Sequence, residues 1–304
     1  MSLPRAAMNP ESVFKGWTRP GPTVPGGVAL EEDETLDYLC GHWRIFQYAK
    51  GHRFSVDDIL LGWFATSWCP RVDKAADLGS GIGSVGMTVA WRCPGATLHT
   101  LEAQGISARL ARKSAIHNGI QGRYHIHEGD LRDGGLAPFG PFDLVTGSPP
   151  YWPVGTRVEA QHPQAIPARL EVRGTIADYA LAAAKLLAPG GVFACVFPLD
   201  QVARAEAAYR EAGLTLLNVQ DVIFKEGEAY GLRFFAGTRA TDLPDAVNQD
   251  PGFPVHGAPL LIRRTDNTVH PSIARVRMAL GFPPGLTRAE PVPPERRFGP
   301  SPAE

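Results

Sequence analysis

Asp77–Leu78–Gly79–Ser80–Gly81–Ile82–Gly83 places three glycines between a short apolar run (74–79, KAADLG) and the helical pattern SVGMTVAWR. Glycine accepts the backbone angles of a tight strand-to-helix turn and has no side chain to hold a ligand off the main chain. The spacing therefore suits a loop that lays a cofactor against a helix N-terminus. Glu102 closes the next apolar run (96–103, ATLHTLEA), where a carboxylate accepts hydrogen bonds from both hydroxyls of a ribose. Asp130 closes a third, RYHIHEGD, where it can accept from the amine of an adenine. The glycines also match the dinucleotide fingerprint as Gly81–Ile82–Gly83–Ser84–Val85–Gly86, so by themselves they leave a nicotinamide cofactor and S-adenosylmethionine both open.

Ser148–Pro149–Pro150–Tyr151 follows the apolar run FDLVT, at the end of what reads as the fourth strand and so beside the same loop. The two prolines stiffen the turn and remove two backbone donors, leaving carbonyl acceptors toward the cleft. Such a turn suits an NH₂ group: the Ser148 side chain and the Pro149 carbonyl accept its two protons and aim the lone pair at an electrophilic methyl group. Tyr151 and Trp152 offer flat faces for a planar base, a contact that contributes about 1–3 kcal/mol per base. Catalysis would then rest on orientation and electrostatics. No strong general base is needed, because the nitrogen sheds its proton readily once methylated.

These residues need a sheet to carry them. From about Leu36 to Arg239 short apolar runs alternate with helical stretches, the pattern of stacked βαβ units and a doubly wound, mostly parallel α/β sheet. Thr175 with Asp178 forms a capping-box signal for the helix IADYALAAAKLLA, ending at Pro189, Gly190 and Gly191; Asp200 reads as the N-cap of the next helix and Gly213 as its stop. LTLLNVQDVIF and LRFFAGT are joined by too short a loop for a crossover helix, which predicts an antiparallel last strand. Residues 1–36, with TRPGPTVPGG and EEDE, read as a flexible extension. Residues 37–240 read as the catalytic domain, 241–283 as a strand (LLIRR) and a helix (PSIARVRMAL) completing it, and 284–304 as a disordered proline-rich tail.

Composition narrows the class further. With 44% hydrophobic and 20% charged residues the chain can bury a sizeable core, and its net charge of -1 excludes a protein that coats nucleic acid over its whole surface. Any basic surface must be local, and Arg263, Arg264, Arg275, Arg277, Arg296 and Arg297 form the candidate. No apolar stretch is long enough for a membrane span and the start lacks a secretory pattern, so a cytoplasmic protein is expected. Cys40, Cys69, Cys93 and Cys195 show no CxxC pairing and read as buried thiols, with no metal expected. Nothing in the pattern suggests more than a monomer.

Taken in order, DLGSGIG, Glu102, EGD and SPPY resemble the class I S-adenosylmethionine-dependent methyltransferases that modify amino groups, whose fourth motif is NPPY or its DPPY and SPPY variants. More narrowly, Phe54–Ser55–Val56–Asp57–Asp58–Ile59–Leu60–Leu61, PARLEVRG after SPPYW, and LLIRRTDNTVHPSIARVRMAL are similar to the bacterial tRNA1(Val) adenine-N6 methyltransferases, over roughly residues 42–280. The resemblance implies the seven-stranded class I sheet, S-adenosylmethionine as cofactor, and tRNA as partner. It implies that Phe54, Asp57, Asp77, Gly79, Gly81, Gly83, Glu102, Asp130 and Leu131 hold the cofactor and that Ser148, Pro149, Pro150 and Tyr151 hold the amine. Ser148 stands where the family usually has Asn, and SPPY variants also serve cytosine N4. Three other outcomes remain as alternatives: an amine or amide of a protein or small molecule as acceptor, a catalytically silent binding module on the same fold, and a nicotinamide enzyme.

Overall fold

The protein is described from a computed structural model, which covers residues 13–14, 17–69, 71–156, 162–248 and 250–285. The remaining termini, with Arg296, Arg297 and the tail from 286 onward, lie outside the described residues. A hairpin of β1 (Glu34–Cys40) and β2 (Trp43–Tyr48) and a helix α1 (Val56–Trp68) precede the first strand of the main sheet, β3 (Lys74–Leu78). There follow α2 (Ser84–Arg92), β4 (Thr97–Glu102), α3 (Gly105–His117), β5 (Tyr124–Glu128) and β6 (Phe142–Gly147). Next come α4 (Ala165–Arg169), α5 (Ile176–Leu186), β7 (Leu187–Pro198), α6 (Val202–Glu211), β8 (Leu214–Lys225) and β9 (Gly231–Arg239). The short helix α7 (Asp245–Asn248), β10 (Val255–Arg263) and α8 (Ala274–Ala279) complete the described chain.

The main sheet runs β10-β8-β9-β7-β6-β3-β4-β5. β9 is antiparallel to both neighbours, β7 and β8, as the short loop predicted, while β3, β4, β5, β6 and β7 pair in parallel. The sheet has eight strands rather than the expected seven. β10 joins the edge parallel to β8, burying Leu260 and Ile262; the residue pattern of a lone strand does not reveal which edge it will cover. Strand order reverses between β3 and β6, and such a switch point opens a crevice at the carboxyl ends of the strands.

Both faces of the sheet are covered, which is why its strands read as continuous apolar runs. Alternate residues of β7 divide between two cores: Val192, Ala194 and Val196 pack with α1, α2 and the hairpin, whereas Phe193, Cys195 and Phe197 pack with α5 and α6. Thr175 caps α5 in a full capping box with Asp178. Asp200 does not cap α6. Residues Leu199–Gln201 form a 3₁₀ turn, Gln201 takes the cap position, and its side-chain amide is drawn to the Tyr151 carbonyl at 3.0 Å. Cys40, Cys69 and Cys195 are buried, and Cys93 is half-buried.

Part of the expected flexible extension is tied down. The Arg19 guanidinium lies over the Tyr38 ring and donates to the Gly41 carbonyl, Gly26 N–H bonds the His117 carbonyl, and Glu31 pairs with Arg109. Polar anchors, with Val24 and Val28 against the core, do what hydrophobic periodicity did not announce. The hairpin docks on α3 through side chains: the Arg44 amide donates to Asn118 Oδ1, Asn118 Nδ2 donates to the Arg44 carbonyl, and the Phe46 amide donates to Ser114 Oγ. Asn118→Ala removes the side-chain partner of the half-buried Arg44 N–H and C=O, so urea unfolding should show a loss of about 1–3 kcal/mol; Asn118→Asp, which keeps the acceptor only, should fall between.

Candidate active site

The site begins with register. Leu78 on β3 pairs with Gly147 on β6, so Gly79 and Ser148 leave the sheet side by side. Gly79, Gly81 and Gly83 all have positive φ, at 58°, 56° and 93°. A Cβ on Gly79 would collide with the Tyr179 hydroxyl, and one on Gly147 would meet the same ring at 2.7 Å. Tyr179, from α5, is thus wedged beneath both turns, and neither position admits a side chain. Gly81 differs: a Cβ there would meet no atom within 4 Å. The third glycine of the fingerprint, Gly86, lies inside α2, where its N–H donates to Asp77 Oδ2 at 3.0 Å.

An open cleft of about 920 Å³, counted to its mouth with the solvent in it, lies over these turns. Of the residues expected to hold the cofactor, Phe54, Asp77, Gly79, Gly81, Glu102 and Leu131 line it, as do Ser148 and Pro150 of the turn. Glu102 accepts from the Gly81 and Gln104 amides, each at 2.7 Å, and each of its oxygens keeps a lone pair for a ribose hydroxyl. Burial raises its carboxyl above the usual range. Asp77 accepts from Thr146 Oγ1 at 2.8 Å and from Gly86. Burial pushes it up to about 7, and its bonds lock β3, β6 and α2 together.

Five expected residues are placed otherwise. Gly83 caps α2 and does not line the cleft. Asp130 caps the short turn Leu131–Asp133 and is held by its own neighbour Arg132 at 2.5–2.9 Å, leaving Gly129 and Leu131 as the lining. Asp57 is occupied at both oxygens, by the Ser55 hydroxyl and by the Tyr151 hydroxyl, the latter at 3.0 Å. Tyr151 is half-buried, edge-on to Phe197, and outside the lining, as is the buried Pro149.

Other lining residues carried no signal in the residue pattern. Asp58 receives the Ser55 amide and the Ser84 hydroxyl on one oxygen. His52 is kept neutral by burial, which pulls it down to about 4. Gln164 bridges the His52 amide and the Ser107 hydroxyl, and Arg173 donates to the Ala103 carbonyl at the mouth. A capping box at Ser55 and Asp58 was legible in principle; the buried contacts of Gln164 were not.

The cleft's charges select its ligand. Asp58, Asp77 and Glu102 face it, while Arg173 is the sole Lys or Arg among the lining residues described. Buried carboxylates without cations are costly and favour a positively charged ligand, which S-adenosylmethionine is and the pyrophosphate of a nicotinamide dinucleotide is not. Among the described residues the buried Ser80 hydroxyl in the lining has no partner, a polar atom that a bound cofactor can satisfy. Residues 56–197 match the Methyltransferase small domain family. That stretch is just under half of the chain, and with the curated relatives it supports an S-adenosylmethionine-dependent methyltransferase.

This methyltransferase is 36% identical over 207 residues to a 4-amino-L-phenylalanine/4-methylamino-L-phenylalanine methyltransferase of Streptomyces pristinaespiralis, a match spanning 59% of this chain and 66% of the relative. It is 27% identical over 188 residues to a tRNA1(Val) (adenine(37)-N6)-methyltransferase of Porphyromonas gingivalis, spanning 57% of this chain and 71% of that one. A crystal structure described as a predicted O-methyltransferase from Agrobacterium tumefaciens superposes with a TM-score of 0.55 at 19% identity, covering 74% of this chain and 97% of that chain, and shows the shared class I fold. S-adenosylmethionine is the cofactor of this methyltransferase. Among the described residues no helix is long and apolar enough to cross a membrane, and no cluster of His, Cys, Asp and Glu suited to a metal ion is present.

The two loop glycines separate folding from binding. Gly81→Ala places a methyl in the open cleft at a left-handed position costing about 1 kcal/mol, so urea unfolding should change little while calorimetric affinity for S-adenosylhomocysteine falls ~10-fold or more. Gly79→Ala, which collides with Tyr179, should lose stability and binding together.

Proposed function

We propose that the protein transfers a methyl group from S-adenosylmethionine to an exocyclic amino group of an RNA base, with adenine N6 of a tRNA as the first acceptor. One observation carries the reading: Ser148 and Pro150 share the cleft wall with Gly79 and Gly81, so an amine held by the turn lies beside the cofactor loop. The bound cofactor supplies a methyl group made electrophilic by its sulfonium. The chain supplies orientation. The Ser148 hydroxyl and the Pro149 carbonyl accept the two amine protons, and the Tyr151 ring offers a flat face to the base. Gln201 donates to the Tyr151 carbonyl and Asp57 accepts from its hydroxyl, holding the turn at both ends.

The tRNA assignment draws support from the Porphyromonas gingivalis relative and from topology. β10 runs in the direction of β3 and β6, so Arg263 and the exposed Arg264 end at the same edge of the sheet as Ser148. These two form the local basic surface for RNA. The same reading places the enzyme in the cytoplasm, where tRNA is found, and as a monomer, since the loop and turn of one chain make the cleft. A second reading has a specific observation behind it: the relative at 36% identity acts on a free aromatic amine. An aniline nitrogen and adenine N6 both present NH₂ on a flat ring, the shape the turn fits.

Incubating the purified protein with tritiated S-adenosylmethionine and either bulk tRNA or 4-amino-L-phenylalanine distinguishes the two. Label in tRNA that is released by ribonuclease and recovered as N6-methyladenosine is expected, and Tyr151→Ala should lower it about 100-fold. Label in the free amine alone would replace RNA with a small acceptor, and ribonuclease-resistant label would point to protein. Binding of S-adenosylhomocysteine without transfer to any acceptor would mark a silent module.

A further inference from the structure

We propose that Asp58, and not its neighbour Asp57, receives the cofactor's ammonium group, while Asp57 serves as a positioning residue for Tyr151. The inference rests on the methyl-transfer reading and divides two adjacent carboxylates by what each already touches. Asp57 is absent from the cleft lining, and each of its oxygens is turned to a hydroxyl, Ser55 on one and Tyr151 on the other. Asp58 lines the cleft, and both hydrogen bonds it receives fall on Oδ2. Its Oδ1 has no hydrogen bond among the described residues.

Among the described residues no positive charge stands against Asp58 to balance it. From α1 it faces Asp57, from β3 Asp77, from α2 the Ser84 hydroxyl, and from the turn after β6 the Tyr151 phenol. No Lys, Arg or His pairs with it among the described residues. Burial, followed by the charges of Asp57 and Asp77, pushes its carboxyl up to about 8. A half-buried acid left in this state is stabilised by an ammonium donor, and an amino-acid cofactor brings one. Because α1 carries Asp57 one residue away, an ammonium held by Asp58 also steadies the segment that grips Tyr151. Cofactor and amine-binding turn are thereby joined through one helix N-terminus.

Three consequences can be measured. In calorimetry, S-adenosylhomocysteine carries the ammonium and 5′-methylthioadenosine lacks the whole amino-acid end. Asp58→Asn, which preserves the cap acceptor for Ser55, should weaken the first ~10-fold or more and leave the second within about threefold. Asp57→Ala should leave both within about threefold and lower kcat, as should Tyr151→Phe, with the double variant no worse than either single one. Affinity of the wild type for S-adenosylhomocysteine should rise between pH 6 and pH 8 as Asp58 ionises, and that rise should be lost in Asp58→Asn.

Stability gives an independent readout. The folded state holds the Asp58 proton above the range of an unfolded carboxylate, so it binds more protons than the unfolded chain from about pH 4 to pH 8, and its stability falls across that window. Ligand-free Asp58→Asn should therefore have the higher unfolding midpoint at pH 8. Equal loss of both ligands in Asp58→Asn, or an Asp57→Ala loss as large as that of Asp58→Asn for S-adenosylhomocysteine alone, would overturn the assignment. Wild-type protein that binds neither ligand would overturn the methyl-transfer reading along with it, whereas selective loss in Asp58→Asn with no transfer to any acceptor supports the assignment and removes only the proposed reaction.

Discussion

The parallel pairing of β3 with β6, in the register that sets Leu78 against Gly147, is the constraint on which the rest depends. It brings a glycine loop and a proline turn to one edge of the sheet at the point where strand order reverses. Tyr179 then fills the space beneath both, so the two turns rest on the same ring. Neither segment could be moved by one residue without driving a Cβ into that ring or turning its side chains to the opposite face.

Around this edge the protein collects carboxyl groups that no cation pairs with among the described residues. Asp77 has structural work, tying β3, β6 and α2 together through Thr146 and Gly86. Glu102 is fastened by two amides and keeps spare acceptor capacity. Asp58 is held on one oxygen only. Such a cleft is electrostatically incomplete, and a cationic cofactor completes it. The arrangement lowers the stability of the empty protein while favouring the ligand, a trade common at functional sites.

The proline turn is held from outside the glycine loop. Its tyrosine hydroxyl is gripped by Asp57 at the start of α1 and its carbonyl by Gln201 before α6. Arg204 in turn bonds Gln201 and pairs with Glu171, which lies in the segment following the turn. Support of the turn is thus distributed over several elements, as the proposed reaction, which needs alignment more than proton transfer, requires.

Much of this was legible in the residues themselves. The alternation of apolar runs and helical stretches determined a doubly wound sheet, because strands buried on both faces must be apolar throughout. Positive-φ glycines and adjacent prolines determined the two turns, since each depends only on local backbone freedom. The tertiary structure alone decided which of two neighbouring aspartates faces the cleft, that Asp130 would turn to Arg132, that Gln164 and His52 would line the wall, and that β10 would add an eighth strand. Those outcomes depend on contacts between residues far apart in the chain, and spacing along a sequence carries no record of which distant side chain will arrive to satisfy a buried charge.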